Sequence, residues 1–233
     1  QRELFSTAFM HNHSVNISGG TDDMNYSISA GYLNQDGVAL GSGFDRMSIR
    51  SNFDTKVTKW LQVGTNLYYA NTKQLNTFST GSVIATALDQ FPDVAPKNPD
   101  GTYAMPQANS MSTYYTNPIF EANMRENKDN NYSVDYNVFA NLTPIKGLSI
   151  RIEYGGNRGW LNNYFFQPGY TYGTTVVTSQ STRTKNMSKY TSFKQYATYD
   201  FDPCKNNHMQ VMFGHEAQWG NWESLAGTRY NYI

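Results

Sequence analysis

The stretch Tyr26 to Asn52, reading YSISAGYLNQDGVALGSGFDRMSIRSN, limits the fold more than any other part of the chain. In its first arm Tyr26, Ile28, Ala30 and Tyr32 fall on one side of an extended backbone, and Asn25, Ser27, Ser29 and Gly31 on the other. That is the period-two signature of a strand with unlike faces. In the second arm Met47, Ile49 and Phe53 oppose Arg46, Ser48, Arg50, Asn52 and Asp54. Asp36-Gly37 and Gly41-Ser42-Gly43 between the arms supply the backbone freedom of a hairpin loop. Two arginines and an aspartate on one face exceed what a packed core holds unpaired, so that face meets water. The other face is apolar and aromatic. A sheet with one lipid-like side and one wet side is the wall of a transmembrane β-barrel.

Composition agrees. Hydrophobic residues make up 39% of the chain with a mean hydropathy of -0.62, and no apolar run approaches the ~18 residues of a spanning helix. Barrel strands give lipid only every second residue, so their mean hydropathy looks soluble while their periodicity does not. With a net charge of zero, neither nucleic acid nor an anionic surface is the expected partner. The single cysteine, Cys204, excludes an internal disulfide framework. The opening QRELFSTAF has no basic n-region, apolar run or cleavage site, so either an export signal has been removed or the sequence starts within a longer protein.

Eight strands can be read along the chain. The first covers about His13–Gly20, followed by the Tyr26 and Arg46 arms and then Trp60–Asn71, where Leu61, Val63, Leu67 and Tyr69 alternate with Gln62, Gly64, Asn66 and Tyr68. Periodicity then fails from Thr72 to about Asn130, a Pro-rich span long enough to imply a functional loop. Within it Val83, Ile84, Ala87, Leu88 and Phe91 recur at helical spacing and predict a short helix. Strands resume with Tyr132 to Leu142, the tight turn Thr143-Pro144-Ile145-Lys146-Gly147, and Leu148 to Tyr154. A second long connection is expected over 157–186, before a final pair at Tyr190–Phe201 and Met209–Trp219. Every second link is tight and those between are longer, as in outer-membrane barrels with short periplasmic turns and long external loops. On that orientation the first strand starts and the last one ends outside, so a segment from mid-chain of a wider barrel is expected, not a closed eight-stranded one.

The runs HNHSVNISGG, NYSISAGYLNQDGVALGSGFDRMSIRSNFD and KWLQVGTNLYYA, with the later PDVAPKNPDGTYAMP, TPIKGLSIRIEYG and HMQVMFGHEAQ, resemble in their order the SusC/RagA group of TonB-dependent outer-membrane transporters. The resemblance spans nearly the whole chain, 1–233. It implies an all-β antiparallel transmembrane barrel of about 22 strands with a plugged lumen, of which this chain holds about eight strands and no plug. It also implies uptake of oligosaccharides or peptides, powered by TonB acting on the plug, with a SusD-like lipoprotein as a lid, in the outer membrane of a Gram-negative bacterium. A passive porin-like barrel and a soluble secreted glycan-binding β-sandwich are the alternatives. The sandwich requires the Tyr-rich faces to meet in a dry core.

Catalytic motifs are absent. There is no G-x-S-x-G, P-loop or H-E-x-x-H, so no enzyme and no cofactor is expected. His11 and His13 share a strand face but lack a third ligand nearby, which speaks against a metal. Trp60, Tyr69, Tyr154, Tyr199 and Trp219 lie near expected strand ends and read as an aromatic girdle at the lipid headgroups. Loop aromatics, namely Tyr103, Tyr114 and Tyr115 in the first loop and Tyr164, Phe165, Phe166, Tyr170 and Tyr172 in the second, are candidates for packing, lid contact or stacking on cargo, with packing or lid contact preferred. Arg46, Arg50, Arg151 and Glu153 face inward as lumenal charges. Plug-holding ion pairs are the preferred role for them over cargo guidance.

Overall fold

The computed structural model describes residues 3–77, 83–90, 95–104, 117–172 and 175–231, apart from the side chains of Tyr172 and Thr175. Eight strands form one antiparallel sheet: β1 (Met10–Gly20), β2 (Met24–Asp36), β3 (Ser42–Thr58), β4 (Leu61–Asn76), β5 (Glu126–Leu142), β6 (Leu148–Gln167), β9 (Gln180–Cys204) and β10 (Asn207–Tyr230). Each pairs with its neighbour in chain order, interrupted only by a short hairpin of β7 (Tyr170–Tyr172) and β8 (Thr175–Val177) between β6 and β9. Helices α1 (Val83–Asp89) and α2 (Pro118–Met124) lie in the β4–β5 connection. The expected helix is α1; α2 was not expected.

The strands are longer than the alternation of apolar residues implies. β4 reaches Asn76 and β5 begins at Glu126, so the first long loop is 77–125 and not 72–130. The expected loop 157–186 is mostly strand and shrinks to 168–179. Tyr164, Phe165 and Phe166 therefore belong to β6. The cause is physical. Along the far ends of β6 and β9, Asn157, Asn162, Asn163, Thr182, Thr184 and Asn186 keep the hydrogen-bond ladder without any apolar alternation, because backbone pairing does not need it.

Register carries the apolar positions onto one face. Val15 pairs with Ala30, Ala30 with Ile49, Ile49 with Tyr69 and Tyr69 with Val134, so one side of five strands is a continuous greasy row. Among the described residues no second layer covers it. Val15 is 64% exposed, Ile28 49% and Phe213 79%. Among the described residues this face meets no second sheet, whereas the sandwich alternative requires it to be dry.

The four tight links, 21–23, 59–60, 143–147 and 205–206, all lie at one end of the sheet. Gly147 shapes one of them. Its φ is +85, a Cβ there would collide with the carbonyl oxygen of Asp200, and its own carbonyl accepts from Asp200 N at 2.8 Å. Gly147→Ala is expected to cost about 1–3 kcal/mol through left-handed strain and the displaced β6–β9 contact. Heat-modified gel mobility of the full-length protein would show it as a lower melting point of the barrel form.

The opposite end carries the one small core found among the described residues. Leu4, Val83, Ile119 and Ala122 pack together, with Leu40, Ala87 and Tyr103 against them.

Candidate functional site

The apolar face has the shape of a membrane belt. On β6 the outward residues run Leu148, Ile150, Ile152, Tyr154 and Gly156, and the next is Arg158. The belt is inclined to the hydrogen-bond rows. Its upper edge is the paired row Asn34, Asp45, Lys73 and Asn130 on β2 to β5, but on β6 to β10 it is the row Arg158, Lys189 and Asn221, four residues lower. Its lower edge drops likewise. The row through Met24 of β2 meets β10 at His215, while outward apolar residues continue six residues further down, to Met209. About five residues of drift at ~3.3 Å each, over six inter-strand steps of ~4.8 Å, is a strand tilt of roughly 30°. Barrel strands that span membranes tilt by roughly 35–45°. Gln195 and His215, paired across β9 and β10, are the polar interruption in the belt at this level.

The aromatic residues expected at strand ends distribute along this belt. Trp60 occupies the β3–β4 turn, and Tyr199 pairs with Leu148 at the lower margin. Tyr69 and Trp219 lie toward the upper margin, Trp219 just below Asn221. Tyr154 stands mid-belt, its ring 6.1 Å from that of Tyr136. The strands simply continue past the positions at which the sequence seemed to end them.

On the inner face a hydrogen-bonded chain crosses the sheet near the tight-turn end. Asp54 accepts from Asn25 Nδ2 at 3.3 Å and from Gln62 Nε2 at 3.1 Å; Asn141 Nδ2 donates to Gln62 Oε1 at 3.3 Å. Arg151 donates to Asn141 Oδ1 at 3.0 Å, pairs with Glu153, and lies over the Phe139 ring at 4.1 Å. Beyond it Lys194 and Glu216 pair at 3.3 Å. Expected lumenal charges Arg151 and Glu153 are therefore brought together, whereas Arg50 stacks apart on Tyr68 at 4.8 Å and Arg46 stands between Leu33 and Thr72 in the register. Sequence reasoning missed Asp54, Lys194 and Glu216 as members of this chain. Their inward parity was available; their partners were not.

The loop end is organised by Phe120, 7% exposed, whose ring meets Tyr103 at 5.4 Å and Tyr170 at 4.9 Å, both edge-on. Two of the loop tyrosines thus pack through a third ring. Tyr114 and Tyr115 lie outside the described residues, as does the side chain of Tyr172. Asn117 fixes α2: its Oδ1 accepts from Ile119 N and Phe120 N, and its Nδ2 donates to the carbonyls of Pro96 at 2.6 Å and Ala104 at 2.8 Å. Asn117→Asp keeps the cap but loses both donations, an expected cost of about 1–2 kcal/mol, visible as faster hydrogen exchange across 95–104. In that segment Thr102 donates to Asp100 from side chain and backbone and holds its carboxyl below the usual value. The contact is present above the ordinary carboxylate range and is lost only as pH falls below it.

No family profile matches the chain. Among curated proteins, TonB-dependent receptor P3 of Formosa agariphila is 31% identical over 210 residues, 86% of this chain and 20% of that protein. TonB-dependent receptor P26 of the same organism is 28% identical over 169 residues, 72% of this chain and 15% of that protein. Among solved structures, the RagAB peptide importer in its open-open state superposes with a TM-score of 0.82 at 25% identity, covering 98% of this chain and 26% of that one. The chain belongs to the SusC/RagA-like TonB-dependent transporters.

It spans about a fifth of the length of receptor P3 and about a quarter of the matched RagAB chain. A second RagAB structure, described as a peptide transporter, matches 99% of the chain with a TM-score of 0.80 at 21% identity. What the SusC/RagA-like segment contributes is a run of eight consecutive barrel strands, open at both edges of the sheet.

Proposed function

We propose that this segment forms part of the wall of an outer-membrane importer of SusC type, energised through TonB, that takes up oligosaccharides or peptides beneath a SusD-like lipoprotein lid. The observation that carries the reading is the two-faced wall, apolar outward and hydrogen-bonded inward, in a chain related to TonB-dependent receptors. Peptide cargo is supported by the RagAB importer; oligosaccharide cargo rests on the family resemblance. In this reading Trp60, Tyr69, Tyr199 and Trp219 seat in the headgroups, with Tyr154 deeper in the belt. Arg151 and Glu153, with Arg46 and Arg50 above them, face the plug. Tyr103, Tyr114, Tyr115, Tyr170 and Tyr172 serve loop packing and lid contact. The role is transport and not catalysis.

Uptake of labelled oligosaccharides and of labelled peptides by cells carrying the full-length protein, with TonB active or inactivated, tests this. Uptake of one class that disappears without TonB is the expected result. Undiminished uptake without TonB would restore the passive porin.

A further inference from the structure

The net charge of zero conceals a segregation of charge on the outer wall. Arg158 of β6 and Lys189 of β9 are direct cross-strand partners on the outward face, the arrangement of like charges that destabilises a sheet when nothing neutralises it. Lys185 follows two outward positions higher on β9, and Arg183 beyond it stacks on Tyr164 at 4.7 Å. Arg158 is held in place, donating to Tyr190 O at 2.7 Å and Thr191 Oγ1 at 3.0 Å and lying over the Tyr136 ring. Lys185 and Lys189 are exposed, and among the described residues neither has an ion-pair partner. The nearby carboxylate, Glu223 opposite Met187, accepts from Asn221 at 2.8 Å and is outnumbered by the cations.

Beside this cluster lies a groove of about 720 Å³ lined on its outward side by Tyr132, Trp160, Met187 and Leu225, with Lys185 and Glu223 at its rim. Position decides its occupant. Arg158 and Lys189 form the first polar row above the apolar belt, so the patch is level with headgroups of the external leaflet, and the groove begins one outward position above that row. A lid protein sits over the loops, beyond this level.

We propose that Arg158, Lys185 and Lys189 bind the phosphate group of an anionic lipid headgroup in the external leaflet, with the rest of the headgroup lying against Trp160, Tyr132 and Met187 and the acyl chains descending over the apolar belt below Arg158 and Lys189. The proposal rests on the membrane orientation given above. Arg158 is the preset donor, and the two lysines close on the phosphate as point charges.

The test uses the full-length transporter purified in zwitterionic detergent, titrated with bisphosphorylated lipid A and followed by native mass spectrometry. Lys185→Gln with Lys189→Gln is expected to weaken binding on the order of tenfold or more. Dephosphorylated lipid A should bind the unmodified protein as weakly as lipid A binds the variant. Millimolar inorganic phosphate should leave lipid binding unchanged. Equal affinity of variant and parent, equal affinity for the dephosphorylated lipid, or full displacement by free phosphate would each overturn the proposal. Retained heat-modified mobility of the variant shows that it has folded. The two readings fail separately: loss of the lipid site leaves TonB-dependent uptake by the parent intact, whereas a wrong transport reading removes that uptake whatever the lipid does.

Discussion

Val138→Arg is expected to destabilise the inserted barrel by about 2–4 kcal/mol, the cost of a cation near the middle of the lipid-facing band. Val138 is 53% exposed on β5, four residues from Leu142 at the bottom of its outward row and four from Val134 toward the top. It pairs with Thr65 and Tyr154, so no neighbouring carboxylate compensates a new charge. The adjacent Asn137 provides the control, because it points inward between Asn66 and Gly155. Arginine there meets water and polar wall, and its effect should stay within about 1 kcal/mol, since lumenal substitutions are tolerated. Equilibrium unfolding of the full-length protein from lipid vesicles measures both. Equal losses at the two positions would contradict the two-faced wall.

Phe120→Ala is expected to cost about 3–5 kcal/mol, but locally. The ring is nearly fully buried between Tyr103 and Tyr170, next to Ile119 and Ala122 of the small core. Removing it opens a cavity that joins three chain segments, and none of them belongs to the hydrogen-bond ladder of the eight-stranded sheet; Tyr170 lies in the separate β7–β8 hairpin. Limited proteolysis should therefore cut within 95–125 far faster in the variant, while the melting point of the barrel form barely moves. If lid association falls in parallel, the tyrosines act through their packing; if it persists with the loops cleaved, the lid is held elsewhere.

How far the sequence could be read follows from which forces leave a periodic trace. Ile28, Ile49 and Val63 alternate with polar neighbours because one face of the wall meets hydrocarbon, and that pattern located all eight strands in order. It stopped at Asn71 and Tyr154, where Thr72-Lys73 and Gly155-Gly156-Asn157 break the apolar alternation, although the ladder continues to Asn76 and Gln167. Seven residues of α2 are too few to show a helical repeat, and Phe120 was not among the aromatics singled out in the sequence; only packing places it between two others. Arg151 and Glu153 were legible as inward charges. Their connection through Asn141 and Gln62 to Asp54 was not, because it depends on register between strands whose bonded residues lie up to 79 positions apart in sequence.

The inclined apolar band also fixes a thickness. From Leu148 to Gly156 on β6 are eight residue steps, and at a tilt of roughly 30° these rise about 23 Å. A bilayer with a hydrocarbon layer of about 30 Å would submerge Arg158 and Lys189 or have to thin around them, whereas the bacterial outer membrane is thinner than average. The spacing between Leu148 and that pair of cations thus acts as a gauge that suits the protein to one membrane and penalises it in a thicker one.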